Sequence, residues 1–207
     1  MSRNLWTKAT LLAASTLTVM AAATIAPSLP AMRANFAALP NADYLVRLVL
    51  TLPALFIALS SPIAGAIIDR FGRKVLLVTA MLIYGLAGGS AIVAPTLTLI
   101  LVGRAILGTS VAGIRTATTT LIADYYDGAE RAQMMGFQAA AAGFGGTIFL
   151  TIGGFLAEVS WRGPFYLYLL SFLILPMVLL YIRRQPETRH RGRIVTDEAA
   201  SDLPLGL

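Results

Sequence analysis

Few side chains in this sequence can do chemistry, and they are gathered in short sets. The stretch GAIIDRFGRK at 65–74 sets Asp69, Arg70, Arg73 and Lys74 between two apolar runs and frames them with Gly65 and Gly72. Asp69 can meet the positive end of a neighbouring helix, and the three cations can pair with acidic groups beside them. Arg104 stands alone inside another apolar run, with Gly108 one turn further on. Acidic and basic residues recur together at Asp124, Glu130 and Arg131, and again at Glu187. No set contains a nucleophile–base pair. The chain has no cysteine, and its single histidine, His190, lies in a basic tail, so thiolate, metal and imidazole chemistry are excluded. What remains is charge recognition: helix capping, ion pairing and solute binding. No enzyme and no bound cofactor is expected.

The elements that hold these groups follow from composition. The 207 residues are 57% hydrophobic and only 13% charged, against about 25% charged in a typical soluble domain. Mean hydropathy is +0.76. Such a chain needs a lipid bilayer as its solvent. The net charge of +6 does not indicate nucleic acid, because the cations are spread over short loops and one tail.

A bilayer core of about 30 Å needs roughly 20 apolar helical residues. Six stretches qualify, at about 9–29, 44–67, 75–94, 96–121, 134–157 and 164–182. They are rich in Ala and Leu and lack the two-residue alternation of membrane strands. The sequence therefore predicts an all-α integral membrane protein: a six-helix bundle over 1–182, with a basic and then disordered tail over 183–207. The first run begins like a secretory signal peptide but is longer than an h-region and is followed by five more spans. Pro27 and Pro30 mark where that first helix unwinds.

Orientation follows from the bias of Lys and Arg in short loops. With the N-terminus inside, Arg3, Lys8, Arg70, Arg73, Lys74, Arg131, Arg183, Arg184, Arg189, Arg191 and Arg193 are cytoplasmic. Arg33 and Arg162 are external, while Arg47, Arg104 and Arg115 fall within or at the edge of spans. Both termini are then cytoplasmic. Arg104 lies about eight residues, or ~12 Å, into its span. An arginine there costs at least about 2.5–3.5 kcal/mol on insertion scales, so it faces the bundle interior or a wet cavity. Its role is either substrate or proton coupling, or structural bonding to helix carbonyls. Arg47 can snorkel to the outer interface, with Asp43 as its candidate partner. Arg115 lies in the cytoplasmic half of the fourth span, and its role stays open between structure and function.

The pattern Gly-x-x-x-Asp-Arg-x-Gly-Arg-Lys at 65–74, between the second and third spans, resembles the loop 2–3 signature of the major facilitator superfamily. GRAILGTSVAG at 103–113 looks like the family's helix 4 pattern, through Arg104 and Gly108. LIADYYDGAERAQMMG at 121–136 resembles its helix 4–5 connection, WRGPFYLY at 161–168 its entry to helix 6, and PETR at 186–189 its exit. The likeness covers the N-terminal half of a family member and is nearest to bacterial twelve-helix drug and sugar efflux proteins. It implies a multi-pass protein of the bacterial cytoplasmic membrane.

The resemblance also implies roles. Residues 65–74 would act as a gating latch whose Asp69 caps a helix of the opposite half. Arg104 and Gly108 would serve substrate or proton coupling, and Gly136, Gly145, Gly153 and Gly154 would be the helix 5 packing motif. Asp124, Glu130, Arg131 and Glu187 would form a cytoplasmic charge network. Two departures stand out. Phe149 and Leu150 occupy the Gly-Pro positions of the antiporter signature, and no carboxylate lies inside helices 1, 2, 3, 5 or 6. A proton gradient could still drive transport, but its carboxylate would lie elsewhere. The hydroxyl-bearing, apolar walls fit a neutral or mostly apolar small molecule better than a polyanion. With six helices supplying one wall, three readings stay open: a fragment lacking its C-terminal half, a homodimer, or a membrane interaction subunit. For a homodimer, Asp69 is expected to meet the start of helix 5 of the other protomer, near Ala132 to Gly136.

Overall fold

Long Ala-, Leu- and Gly-rich runs can satisfy their backbone groups in hydrocarbon only as helices, and helices are what they form. The computed structural model describes residues 2–182. Its α-helices are α1 (Ser2–Ala23), α2 (Leu29–Asn35), α3 (Ala42–Phe71), α4 (Arg73–Gly89), α5 (Leu97–Tyr125), α6 (Gly128–Val159) and α7 (Leu170–Tyr181), with no strand among the described residues. Six stretches are long and apolar enough to cross a membrane: Leu5–Asn35, Ala42–Phe71, Arg73–Ile92, Leu97–Tyr125, Gly128–Val159 and Gly163–Tyr181. The basic tail and Glu187 lie outside the described residues.

Several helices overrun their apolar cores. Gly72 is the sole residue between α3 and α4, at φ 85° and ψ 160°, a conformation that strains any residue with a Cβ. α6 begins at Gly128 rather than at 134, which puts Glu130 in its first turn, where the helix dipole favours a carboxylate. After α1 ends at Ala23, a 3-10 turn over Ala26–Ser28 carries Pro27 into α2, whose first turn holds Pro30.

The bundle has two unequal layers. α3, α5, α1 and α6 lie side by side in that order, and α3 and α6, at the edges, share no substantial contact. α4 packs on α5, and α7 packs on α4 and α1, all on one side of this row. The central helix α5 is mostly buried, while the edge helices α3 and α6 are mostly exposed. One broad side of the four-helix row is therefore bare. The outer side, built on α4 and α7, presents Leu82, Ile83, Leu86, Leu173 and Leu180, side chains suited to lipid.

Candidate functional site

The best-formed polar site is centred on Arg104. Its side chain is 2% exposed, and both terminal nitrogens donate to the Tyr168 hydroxyl, at 2.9 and 3.0 Å. Nη1 also reaches the Ala21 carbonyl at 3.3 Å, and Tyr168 donates its own proton to the same carbonyl at 2.8 Å. Ala21 lies in the last turn of α1, where carbonyls lack intrahelical partners. The guanidinium sits 4.9 Å from the Tyr168 ring centroid and 5.2 Å from that of Phe165, a spacing at which cation–π attraction operates. Beside it, Tyr84 donates to the Leu17 carbonyl at 2.7 Å. The arrangement ties α5, α4 and the start of the sixth span to the end of α1.

A second polar group joins three helices nearer the other end. Gln138 of α6 donates to the Ser15 hydroxyl of α1 at 2.9 Å, and at 3.5 Å to Thr118 of α5. Ser15 and Thr118 are buried and Gln138 is half-buried.

At the end of the bundle where Gly72 turns the chain, the charges separate into bound and free. Arg73 pairs with Asp124 at 3.0 Å, both side chains being mostly buried. Lys74 donates to the Leu179 carbonyl in the last turn of α7 at 2.7 Å, a favourable place for a cation. Asp69 and Arg70 are exposed, and Asp69 has no polar partner among the described residues. Gly65 has open space where a Cβ would stand. The expected network of Asp124, Glu130 and Arg131 is not joined up: Asp124 is held by Arg73, while Glu130 and Arg131 are exposed without an ion pair among the described residues. The first turn of α6 leaves its charged residues exposed. Trp6 stacks on Tyr181 at 5.5 Å and Lys8 lies 5.4 Å from the Tyr126 ring, so both ends of the described chain meet at this side. Burial, with Glu130 and then Tyr125 adding to it, pushes the Tyr126 phenol up, so it stays neutral near pH 7.

At the opposite end Asp43 pairs with Arg33, with Nη2 2.7 Å from Oδ2. Arg47 is therefore not its partner. Arg33, in the last turn of α2, is delivered to the first turn of α3 by the connection between them.

The four glycines expected as one motif on α6 divide between two faces. A Cβ on Gly145 would press on Thr16, and one on Gly153 would collide with the Thr24 backbone, so these two let α1 approach. Gly136 and Gly154, together with Gly143, have open space. Gly108 faces another direction again, where a Cβ would lie 2.5 Å from the Pro53 carbonyl oxygen of α3.

The family model described as Major Facilitator Superfamily matches residues 11–205. The chain belongs to the major facilitator superfamily. Its members are transport proteins, not enzymes, and this chain is a multi-pass membrane protein. Among curated relatives, Multidrug resistance protein 1 of Bacillus subtilis is 35% identical over 127 residues, covering 61% of this chain and 33% of the relative. Quinolone resistance protein NorA of Staphylococcus aureus is 30% identical over 132 residues, covering 62% of this chain and 34% of its own length. The chain thus spans about a third of the curated relatives it matches.

Among solved structures, the proton:xylose symporter XylE superposes with a TM-score of 0.78 at 17% identity, over 86% of this chain and 44% of that one. A bacterial homolog of the human lysosomal transporter Spinster, inward-facing and occupied, gives 0.76 at 20% identity, over 90% and 46%. At these identities the likeness establishes the fold. Tyr168 and Tyr84, which organise the Arg104 site, were not singled out from the sequence. The signal available was the need of a buried guanidinium for acceptors, which tyrosines inside the spans, Tyr84 and those of WRGPFYLY, can supply.

Proposed function

We propose that this chain forms one six-helix wall of a secondary transporter working by alternating access. It exports a small neutral or mostly apolar solute, drug-like or sugar-like, across the bacterial cytoplasmic membrane. The observation that carries this reading is the contrast between the two sides of the α3–α5–α1–α6 row. One side is covered by α4 and α7, whose outer surface is leucine-rich. The other is left bare, and the exposed positions of the row's helices include the open glycines, Thr147 and Thr151 of α6 and Arg115 of α5, beside the exposed Phe137, Phe144 and Phe155. A second six-helix unit covers that side and encloses the solute between the two, related by an axis along the membrane normal.

The names of the curated relatives, multidrug and quinolone resistance proteins, support export of drug-like molecules. The cations Lys8, Arg70, Arg73, Lys74 and Arg131 cluster at the end where both described termini meet, which supports assigning that end to the cytoplasm. Among the described residues, Asp43, Asp69, Asp124, Glu130 and Glu158 all sit at helix ends. If protons drive export and the covering unit is a different six-helix half, the carboxylate that carries them belongs to that half.

Counterflow of a fluorescent dye and of a sugar into proteoliposomes, with and without a pH gradient, tests this reading. Accumulation of one of them above protein-free vesicles is expected. Absence of flux for every probe, from protein that is folded and membrane-inserted, contradicts it.

A further inference from the structure

α5 carries two arginines on one face in opposite states. Arg115 follows Arg104 by eleven residues, about three turns and about 16 Å along the helix. Arg104 is enclosed and bonded to Tyr168 and Ala21. Arg115 is exposed, and its guanidinium has no hydrogen-bond, ion-pair or aromatic partner among the described residues.

Its direction on the helix sets it apart from the apolar surface of α5. The exposed apolar side chains of α5 are Leu99, Val102 and Ile106. At about 100° per residue, Arg115 lies half a turn round from Ile106. It therefore stands opposite the greasy stripe, on the side of the α1–α5–α6 polar group, with Thr118 donating to its carbonyl at 3.1 Å. Its place within Leu97–Tyr125 is ten residues before the end of the span, roughly 15 Å from it. The apolar run itself ends near residue 121, about six residues or ~9 Å beyond Arg115, a depth at which a guanidinium is best served by water or an anion beside it. Every carboxylate among the described residues lies at a helix end, and none is bonded to it.

We propose that Arg115 is the anion-recognising residue of the solute cavity, binding the carboxylate or sulfonate of an organic acid with an apolar body. This rests on the cavity reading above and narrows its solute class: the apolar, hydroxyl-bearing walls take the body of the molecule and Arg115 takes its one negative charge. A guanidinium presents two parallel N–H donors to such a group. It lies in the half of α5 nearer Gly72 and Asp124, inward of the cations at the proposed cytoplasmic end and therefore on the path of an acid entering from that side.

The test is equilibrium binding of a matched pair, 1-naphthoate and its neutral amide, to the protein in lipid nanodiscs. Wild type is expected to bind the acid at least about tenfold tighter than the amide, as one charge-assisted bidentate contact allows. Arg115→Gln is expected to abolish the preference while leaving amide binding in place, and Arg115→Lys to restore part of it. Amide binding without preference for the acid in wild type, or a preference that survives in Arg115→Gln, overturns the assignment and leaves the cavity intact. Failure of both probes to bind folded protein overturns the assignment together with the cavity reading.

Discussion

The Tyr168 hydroxyl accepts two hydrogen bonds from Arg104 and donates one to the Ala21 carbonyl at 2.8 Å. One phenol thus completes both a buried guanidinium and the open end of α1. Tyr168→Phe removes the shared oxygen and leaves Arg104 with a single 3.3 Å contact. A loss of about 1–3 kcal/mol is expected for groups left unsatisfied in a buried site, read as a lower melting temperature of the purified protein in detergent. Melting unchanged from wild type would show that the site does not hold α1 in place.

Glycines on α6 have two jobs that substitution can separate. Gly153→Val collides with the Thr24 backbone, and Gly108→Leu on α5 collides with Pro53. Overpacking of this kind costs about 1–3 kcal/mol or more, and both variants are expected to melt early. Gly136→Ala, Gly143→Ala and Gly154→Ala add a methyl into open space and are expected to fold normally while reducing flux, because that face receives the covering unit. Early melting of the three alanine variants would place those glycines inside the bundle instead.

Arg73 and Asp124 join α4 to α5 with both side chains about four-fifths buried. Asp124→Asn leaves a mostly buried cation without its counter-charge, and about 1–3 kcal/mol of destabilisation is expected. A double-mutant cycle with Arg73→Gln measures the coupling. The double variant is expected to be more stable than the two single losses would sum to. Strict additivity would mean the two charges do not interact.

The exposed Asp69 is free to cap a helix that this chain does not place beside it. In a two-fold pair of chains, that helix is α6 of the other protomer. The chain's lack of cysteine makes introduced thiols unique. Of the positions near the α6 start, Met134 is 2% exposed and therefore sequestered, whereas Ala132 is exposed. Asp69→Cys combined with Ala132→Cys is expected to give a disulfide-linked dimer in membranes. A pair that stays monomeric under oxidant would exclude the homodimer as the covering unit.

Fold class was readable because membrane helices declare themselves by length and hydropathy, and because GAIIDRFGRK places its charges where a bilayer permits them. Side-chain partnerships were much less readable. Arg104 could be recognised as needing an interior or wet environment, but Tyr168 lies 64 residues away, and no local spacing signals a pairing made only by tertiary packing. Asp43 was matched to Arg47, its near neighbour on α3, because helical spacing sees only one element at a time. Arg33 reaches it from a different helix. The acidic and basic residues at 124–131 read as one cluster along the chain. The turn at Tyr126 and Asp127 sends Asp124 inward to Arg73 and the start of α6 outward.

In the proposed arrangement the bare side of the α3–α5–α1–α6 row lines water and the α4–α7 side faces lipid. Single cysteines at Arg115 and Thr147 on the first side, and at Leu86 and Leu173 on the second, allow a direct comparison in native membranes. Their reaction rates with a charged, membrane-impermeant thiosulfonate decide between the two environments. Arg115→Cys and Thr147→Cys are expected to label readily, and Leu86→Cys and Leu173→Cys to stay unlabelled. Equal protection of all four, or labelling confined to the α4–α7 side, would contradict this arrangement.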